Sequence, residues 1–156
     1  MNYAQYLENY YNGNERNIFS IIIQEVSIKR NGIKFSVYYL YVLNLITYEV
    51  VYLDIFKENV NESQVNELLE LLHTSVMKIE GQDSKLFLIT NSKFKQFTNE
   101  TFLNLVQDLQ IHHSNYSGTT EFPIIEISRY FFTGLARMRL ELNKFNSKDV
   151  IVWTKV

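Results

Sequence analysis

At 156 residues with a net charge of −2, the chain is long enough for one domain with a sizeable core. It lacks the cationic excess with which free-standing DNA-binding domains neutralise phosphates. The absence of cysteine excludes disulfides, thiolate zinc sites and cysteine nucleophiles together, and 11 Tyr and 11 Phe against one Pro and five Gly argue against a long disordered linker.

Residues 2–11 (NYAQYLENYY) place Tyr3, Tyr6, Leu7 and Tyr10 at helical spacing and predict a short amphipathic helix, ended at Gly13 and Asn14. Neither this segment nor any later one has a leader-like or membrane-spanning apolar run, so an intracellular protein is expected. A first strand is predicted over about residues 18–29, followed by an Asn31-Gly32 hairpin turn that accepts positive φ at little cost. Strands two (about 33–43) and three (about 48–56) follow, dense in Tyr, Val and Ile. Asn61 is placed to cap a helix whose buried stripe is Val65, Leu68, Leu69, Leu72, Val76 and Ile79, ended at Gly81. Strand four is predicted over 85–90. Thr98 is placed to cap a helix burying Phe102, Leu105, Val106 and Leu109, and strand five covers 111–113. Residues 114–122 read as a polar loop. Pro123 opens a long helix to about Phe145, and Ser147 caps a last helix holding Val150 and Trp153.

Few residues invite a chemical role. His112 and His113 are adjacent, so alternation along a strand leaves one of them on any given face, and an ordinary packing or surface role is expected for both, as for His73. Lys93 and Lys95 flank Phe94. They either contact phosphate while the ring stacks on a base, or they lie in a solvated loop with Phe94 tucked inward. Glu126, Arg129, Thr133 and Arg137 recur on one helical face, and a solvated face with a Glu126–Arg129 pair is the plainer expectation. Tyr38, Tyr39, Tyr41 and Tyr48 put aromatics on both faces of strands two and three. Either the N-terminal helix or a partner is expected to cover some of them.

In order, residues 86–137 (LFLITNSKFKQFTNETFLNLVQDLQIHHSNYSGTTEFPIIEISRYFFTGLAR) run strand, polar loop, capped helix, short strand, polar loop, long helix. That layout resembles the second half of the integrase catalytic core of retroviruses and of Ty3/gypsy-type retrotransposons. In that family the strand ends in a Ser-Asp-Arg-Gly-Ser-Gln-Phe-Thr-like run. Here Asn91 to Thr98 keep the Gln-Phe-Thr ending, as Gln96, Phe97 and Thr98, and Ser92 stands at the metal-binding Asp. The first strand resembles the family's, in which an Asp precedes an apolar residue and a Thr or Ser. Gln24, Glu25, Val26 and Ser27 fill that run, with Gln24 at the Asp. Asn44, Leu45, Ile46 and Thr47 stand at the family's Asp-Leu-x-Ser junction, and Glu126 fits the Glu that opens the final helix. The resemblance covers residues 18–156 and leaves 1–17 as an N-terminal helical extension.

The resemblance implies an α/β domain of RNase H-like fold. Its five-stranded mixed sheet would have strands one to three as an antiparallel meander, strands four and five parallel to strand one, and helices on both faces. The family's phosphoryl transfer uses two divalent cations held by carboxylate oxygens. Gln24 and Ser92 offer neutral oxygens, which leaves Glu126 as the one acid of three. Glu25 points to the opposite strand face and does not replace position 24. The expectation is therefore a catalytically inactive integrase-like domain with no metal, no cofactor and no small-molecule substrate. It would serve as an interaction or dimerisation platform in a DNA- or chromatin-associated, nuclear protein. A homodimer or a protein partner is expected, the former through the helix after Asn61 and residues 145–153. DNA binding by the isolated domain should be weak and carried by Lys93, Lys95, Arg129 and Arg137. The alternative is an active metal-dependent nuclease or strand-transfer domain with Glu25, Asp54 and Glu126 as its acids. The family's final helix would still be packing beyond Trp153, so the chain is expected to be excised from a longer protein.

Overall fold

The computed structural model describes residues 17–118 and 122–143, apart from the side chains of Arg30 and of residues 137–143. The helices expected over 2–11 and from Ser147 lie outside the described residues. β1 (Ile18–Arg30) and β2 (Ile33–Asn44) are joined by Asn31 and Gly32 at φ +52° and +79°, the two positive φ values that a tight hairpin turn demands. β3 (Val50–Phe56) begins two residues later than expected. The Asn44 side chain accepts the main-chain N–H groups of Ile46 (2.9 Å) and Thr47 (3.0 Å), and Tyr48 sits at φ +66°. The side-chain-to-backbone turn thus consumes residues whose β-rich composition reads as strand.

α1 (Glu62–Glu80) opens with a reciprocal cap. Asn61 accepts the Gln64 N–H at 2.8 Å, and the Gln64 side chain accepts the Asn61 N–H at 2.9 Å. Val65, Leu68, Leu69, Leu72, Val76 and Met77 are buried. Ile79, expected in the same stripe, is 79% exposed, because Met77 fills the last turn's inward position and Ile79 falls outside the arc that the core covers.

β4 (Phe87–Asn91) leads into a 3-10 turn, Lys95–Phe97, and then α2 (Glu100–Asp108). That turn displaces the expected cap by one residue. Thr98 closes the 3-10 turn, and Asn99 caps α2 by accepting the Phe102 N–H at 2.9 Å. β5 (His112–Tyr116) is shifted towards the C-terminus relative to expectation and takes in Ser114, Asn115 and Tyr116 from the predicted loop. Its polar sequence is held in strand by parallel pairing with β4, from Phe87↔His112 to Asn91↔Tyr116. α3 (Pro123–Asn143) begins at the proline, as expected.

The sheet order is β3-β2-β1-β4-β5. β1, β2 and β3 form the antiparallel meander, β4 runs parallel to β1, and β5 runs parallel to β4. Both faces are covered. On one, Phe19, Ile21, Ile23, Leu40 and Leu88 pack with α1 and α2; on the other, Ile18, Ile22, Tyr39, Tyr41 and Ile89 pack with α3 through Ile125, Phe132 and Ala136. Coverage on both sides explains why β4 is buried along its whole length.

Candidate functional site

Alternation along β1 sends Gln24 to the α3 face, where it is 4% exposed. Its amide nitrogen donates to the Arg129 carbonyl and to Thr133 Oγ1, each at 2.8 Å. Thr133 Oγ1 in turn donates to the same carbonyl at 2.9 Å. A carbonyl accepts only, so the amide must present its NH₂ end to α3. The Gln24 oxygen faces the Tyr41 hydroxyl at 3.5 Å. Tyr41 lies 2.9 Å from Ser128 Oγ, and because Ser128 donates its own hydrogen to the Ile125 carbonyl (2.7 Å), Tyr41 is the donor to Ser128. The network joins β1, β2 and the first three turns of α3, and Phe132 packs on Tyr41 with ring centroids 4.5 Å apart.

Asn91, at the end of β4, shares this face and is 9% exposed; Ser92 is the next residue. Ser92 extends the β4–β5 ladder. Its N–H and its hydroxyl both donate to the Tyr116 carbonyl, at 2.8 and 3.1 Å. Asn91 accepts the Lys93 N–H at 2.9 Å and hydrogen-bonds the Tyr116 phenol. Glu126 and Arg129 are both half-buried and lie near enough to Tyr41 and Tyr116 to act on them electrostatically. Burial drives the Tyr41 phenol far above its ordinary range, and Tyr116 and Glu126 add to this against the opposing Ser128 hydrogen bond and Arg129 charge. Tyr116 is raised by burial first and by Glu126, with Arg129 and Asn91 opposing. Both phenols are thus held neutral, as donors or acceptors rather than anions.

Gln24 and Glu126 thus lie around Tyr41 on the α3 face, whereas Ser92, next to Asn91, is tied to β5 through the Tyr116 carbonyl; the partners that sequence reasoning missed are Tyr41, Asn91, Tyr116, Ser128 and Thr133. The one available signal was parity. Gln24, Tyr39 and Tyr41 fall on one side of the strands, and Phe87, Ile89 and Asn91 fall on that same side. The alternative acids do not assemble. Glu25 accepts from Tyr38 (3.3 Å) and Ser36 (3.2 Å), and Asp54 accepts from Tyr52 (3.4 Å); Tyr38 and Tyr52 pack on the α1/α2 face, whereas Glu126 is on α3. Among the described residues no three His, Cys, Asp or Glu side chains are grouped to hold an ion.

Lys93 and Lys95 are exposed, and Phe94 between them is half-buried against Phe97, with the Lys93 Nζ 5.7 Å from its ring centroid. The ring is turned inward, while the two cations remain in solvent. Arg129 gives its carbonyl to Gln24 and its charge to the tyrosine cluster; the side chain of Arg137 lies outside the described residues. His112 stacks on Phe87 with centroids 4.7 Å apart. His113 points to the other face, 2.7 Å from Thr90 Oγ1 and edge-on to Phe102.

Burial lowers the His113 pKa from its ordinary 6.5. The folded value lies below the unfolded one, so the stability from neutral His113 is intact above about pH 6.5 and is lost as pH falls through the folded pKa. The melting temperature should drop on acidification across that window, and His113→Gln should flatten the drop. An unchanged pH profile in the variant would refute the assignment.

No family model and no curated protein matches the chain. Solved structures do match. The Mos1 transposase catalytic domain, solved with Raltegravir and Mn, gives a TM-score of 0.61 at 9% identity, covering 92% of this chain and 77% of its own. The HTLV-2 integrase catalytic core domain, solved with magnesium in a trimeric form, gives 0.53 at 11% identity, covering 87% and 77%. The simian T-cell lymphotropic virus intasome in complex with PP2A regulatory subunit B56 gamma gives 0.56 at 12% identity over 87% of this chain, which spans 44% of that chain's length. The meander, the two parallel strands and the helices on both faces thus form the RNase H-like fold of retroviral integrase catalytic cores and Mos1 transposase.

Proposed function

We propose that this domain uses the integrase-type fold without two-metal chemistry, as an interaction platform within a DNA- or chromatin-associated, nuclear protein. The observation that carries this reading is the Gln24 amide. Where the resemblance to integrase cores implies an ion-holding acid, a neutral side chain is tied at 2.8 Å to both a carbonyl and a hydroxyl of α3. A two-metal site needs carboxylate oxygens that are free to turn towards its hard cations. Gln24 is occupied as a donor, Ser92 is committed to the Tyr116 carbonyl, and Glu126 is left as a lone carboxylate. These residues do not fit a pair of divalent ions.

The exposed surface supports a platform. Ile127, Tyr130 and Phe131 are 60%, 80% and 63% exposed and lie on one side of α3 by their spacing. Such clustered apolar exposure marks an association surface more often than a solvated one. A second copy or another protein would cover it, and a stable contact would bury about 1,200 Å² or more.

Calorimetric titration with Mg²⁺ or Mn²⁺, alongside incubation with duplex and single-stranded DNA, tests the reading. No saturable binding and no cleavage are expected. Mn²⁺-dependent cleavage abolished by Glu126→Gln would overturn it. Duplex binding should be weak and should vanish between about 50 and 200 mM salt, because Lys93, Lys95 and Arg129 neutralise few phosphates. Sedimentation at micromolar concentration then separates a homodimer from a monomer that awaits another partner.

A further inference from the structure

The outer edge of β3 and the groove beside it have no part in the site described above. β3 ends the sheet, pairing only with β2 among the described residues. Edges of this kind template a further strand unless they are blunted by lysine, proline or an irregularity. The register shift in β3 sits at its start, opposite Val42 and Leu43, and Tyr52–Phe56 runs on regularly without lysine or proline. Along this stretch a groove of about 270 Å³ opens between β3 and α1. Its apolar walls are Tyr52, Phe56, Leu68 and Leu71, the last 53% exposed. Its charges are Asp54 and Glu67, with no basic residue lining it.

The groove's field is felt by its own tyrosine. Tyr52 is raised by burial first, and then by the neighbouring charge of Asp54, its hydrogen bond to Asp54 and the charge of Glu67. The Asp54 carboxylate already holds a main-chain donor of the edge strand, the Ile55 N–H, at 2.9 Å. A cation that draws this carboxylate towards the groove would release that N–H to donate to a new strand partner.

We propose that β3 and its acidic groove receive an extended, lysine- or arginine-bearing segment of a partner protein. The segment adds as a sixth strand, seats an apolar side chain between Tyr52 and Leu71, and pairs its cation with Asp54 and Glu67. Main-chain pairing supplies affinity, and the alternating side chains supply selectivity. A neutral or acidic segment lacks the charge that frees the Ile55 N–H and meets two uncompensated carboxylates, so the groove discriminates by repulsion as well as attraction.

The test is amide chemical-shift mapping on the isotopically labelled full chain, with two capped probe peptides in which every second residue is threonine and the residues between, which share one strand face, alternate valine with lysine in one and valine with glutamate in the other. The lysine peptide should shift the amides of Val50–Phe56, Ile55 foremost, together with those of Glu67 and Leu71 on α1. The glutamate peptide should leave them in place. Asp54→Asn with Glu67→Gln should weaken lysine-peptide binding about fivefold, the effect of losing two exposed ion pairs, while its unbound spectrum reports that the fold is intact. Equal response to both peptides, no response at β3, or shifts confined to other surfaces would overturn the proposal. So would β3 shifts that grow with protein concentration alone, which would assign the edge to a second copy, or amides already occupied by the chain's own ends and released on their truncation. A partner segment without basic residues would be excluded by the same comparison.

Discussion

Replacing Gln24 with Glu should destabilise the domain by about 3 kcal/mol at neutral pH, the range found when a buried charge is left without compensation. The change removes the NH₂ group that faces the Arg129 carbonyl and Thr133 at 2.8 Å, and sets a carboxylate oxygen against that carbonyl. Arg129 is half-buried nearby, and its charge keeps the figure from being larger. Burial beside an acceptor raises the folded pKa of the introduced acid above the unfolded value of about 4.3. The penalty is therefore absent at low pH, appears as pH rises past the unfolded pKa, and is complete above the folded pKa. Gln24→Met is the control. It leaves Arg129 O with Thr133 and Tyr41 with Ser128, so it should cost about 1 kcal/mol with no pH dependence. Denaturant unfolding of both variants between about pH 4 and 8 gives the comparison. If the Gln24→Glu variant matched wild type at neutral pH, or were stabilised by millimolar Mn²⁺, position 24 would be an ion-site position that has lost its acid, and the interaction-platform reading would fail.

Replacing Phe102 with Ala should cost about 4 kcal/mol, which lowers the melting temperature by about 10 °C in a chain of this size. Phe102 is fully buried. It lies 5.6 Å from the Phe97 ring and 5.6 Å from the His113 ring, both in edge-on geometry, so it joins the 3-10 turn, α2 and β5. The 3-10 turn hangs between Phe94 and Phe102, so the cavity would also loosen the loop that carries Lys93 and Lys95. Thermal unfolding followed by circular dichroism measures the shift, and a loss below about 2 kcal/mol would mean that the neighbouring rings collapse into the space.

What the chain's own pattern determined was local and periodic. The Asn31-Gly32 turn, the Asn61 cap, the proline at the start of α3 and the Phe102/Val106 stripe are each legible because one residue's backbone preference, or a 3.6-residue repeat, acts over a few neighbours. The alternation that sends Gln24 and Glu25 to opposite faces is equally local, and it placed Gln24 with α3 and Glu25 against Tyr38. Tertiary structure decided the rest. Ser114, Asn115 and Tyr116, read as loop, joined β5 because β4 supplies their hydrogen bonds, a preference that no property of those three residues contains. Thr98 lost the cap to Asn99 because Phe97 must reach the core, which pulls the preceding residues into a 3-10 turn. The site belongs to the same class. Gln24, Tyr41, Ser128 and Thr133 are separated by up to 109 positions, and their contacts follow from the sheet register and the seating of α3, where desolvation forces each polar atom to find a partner.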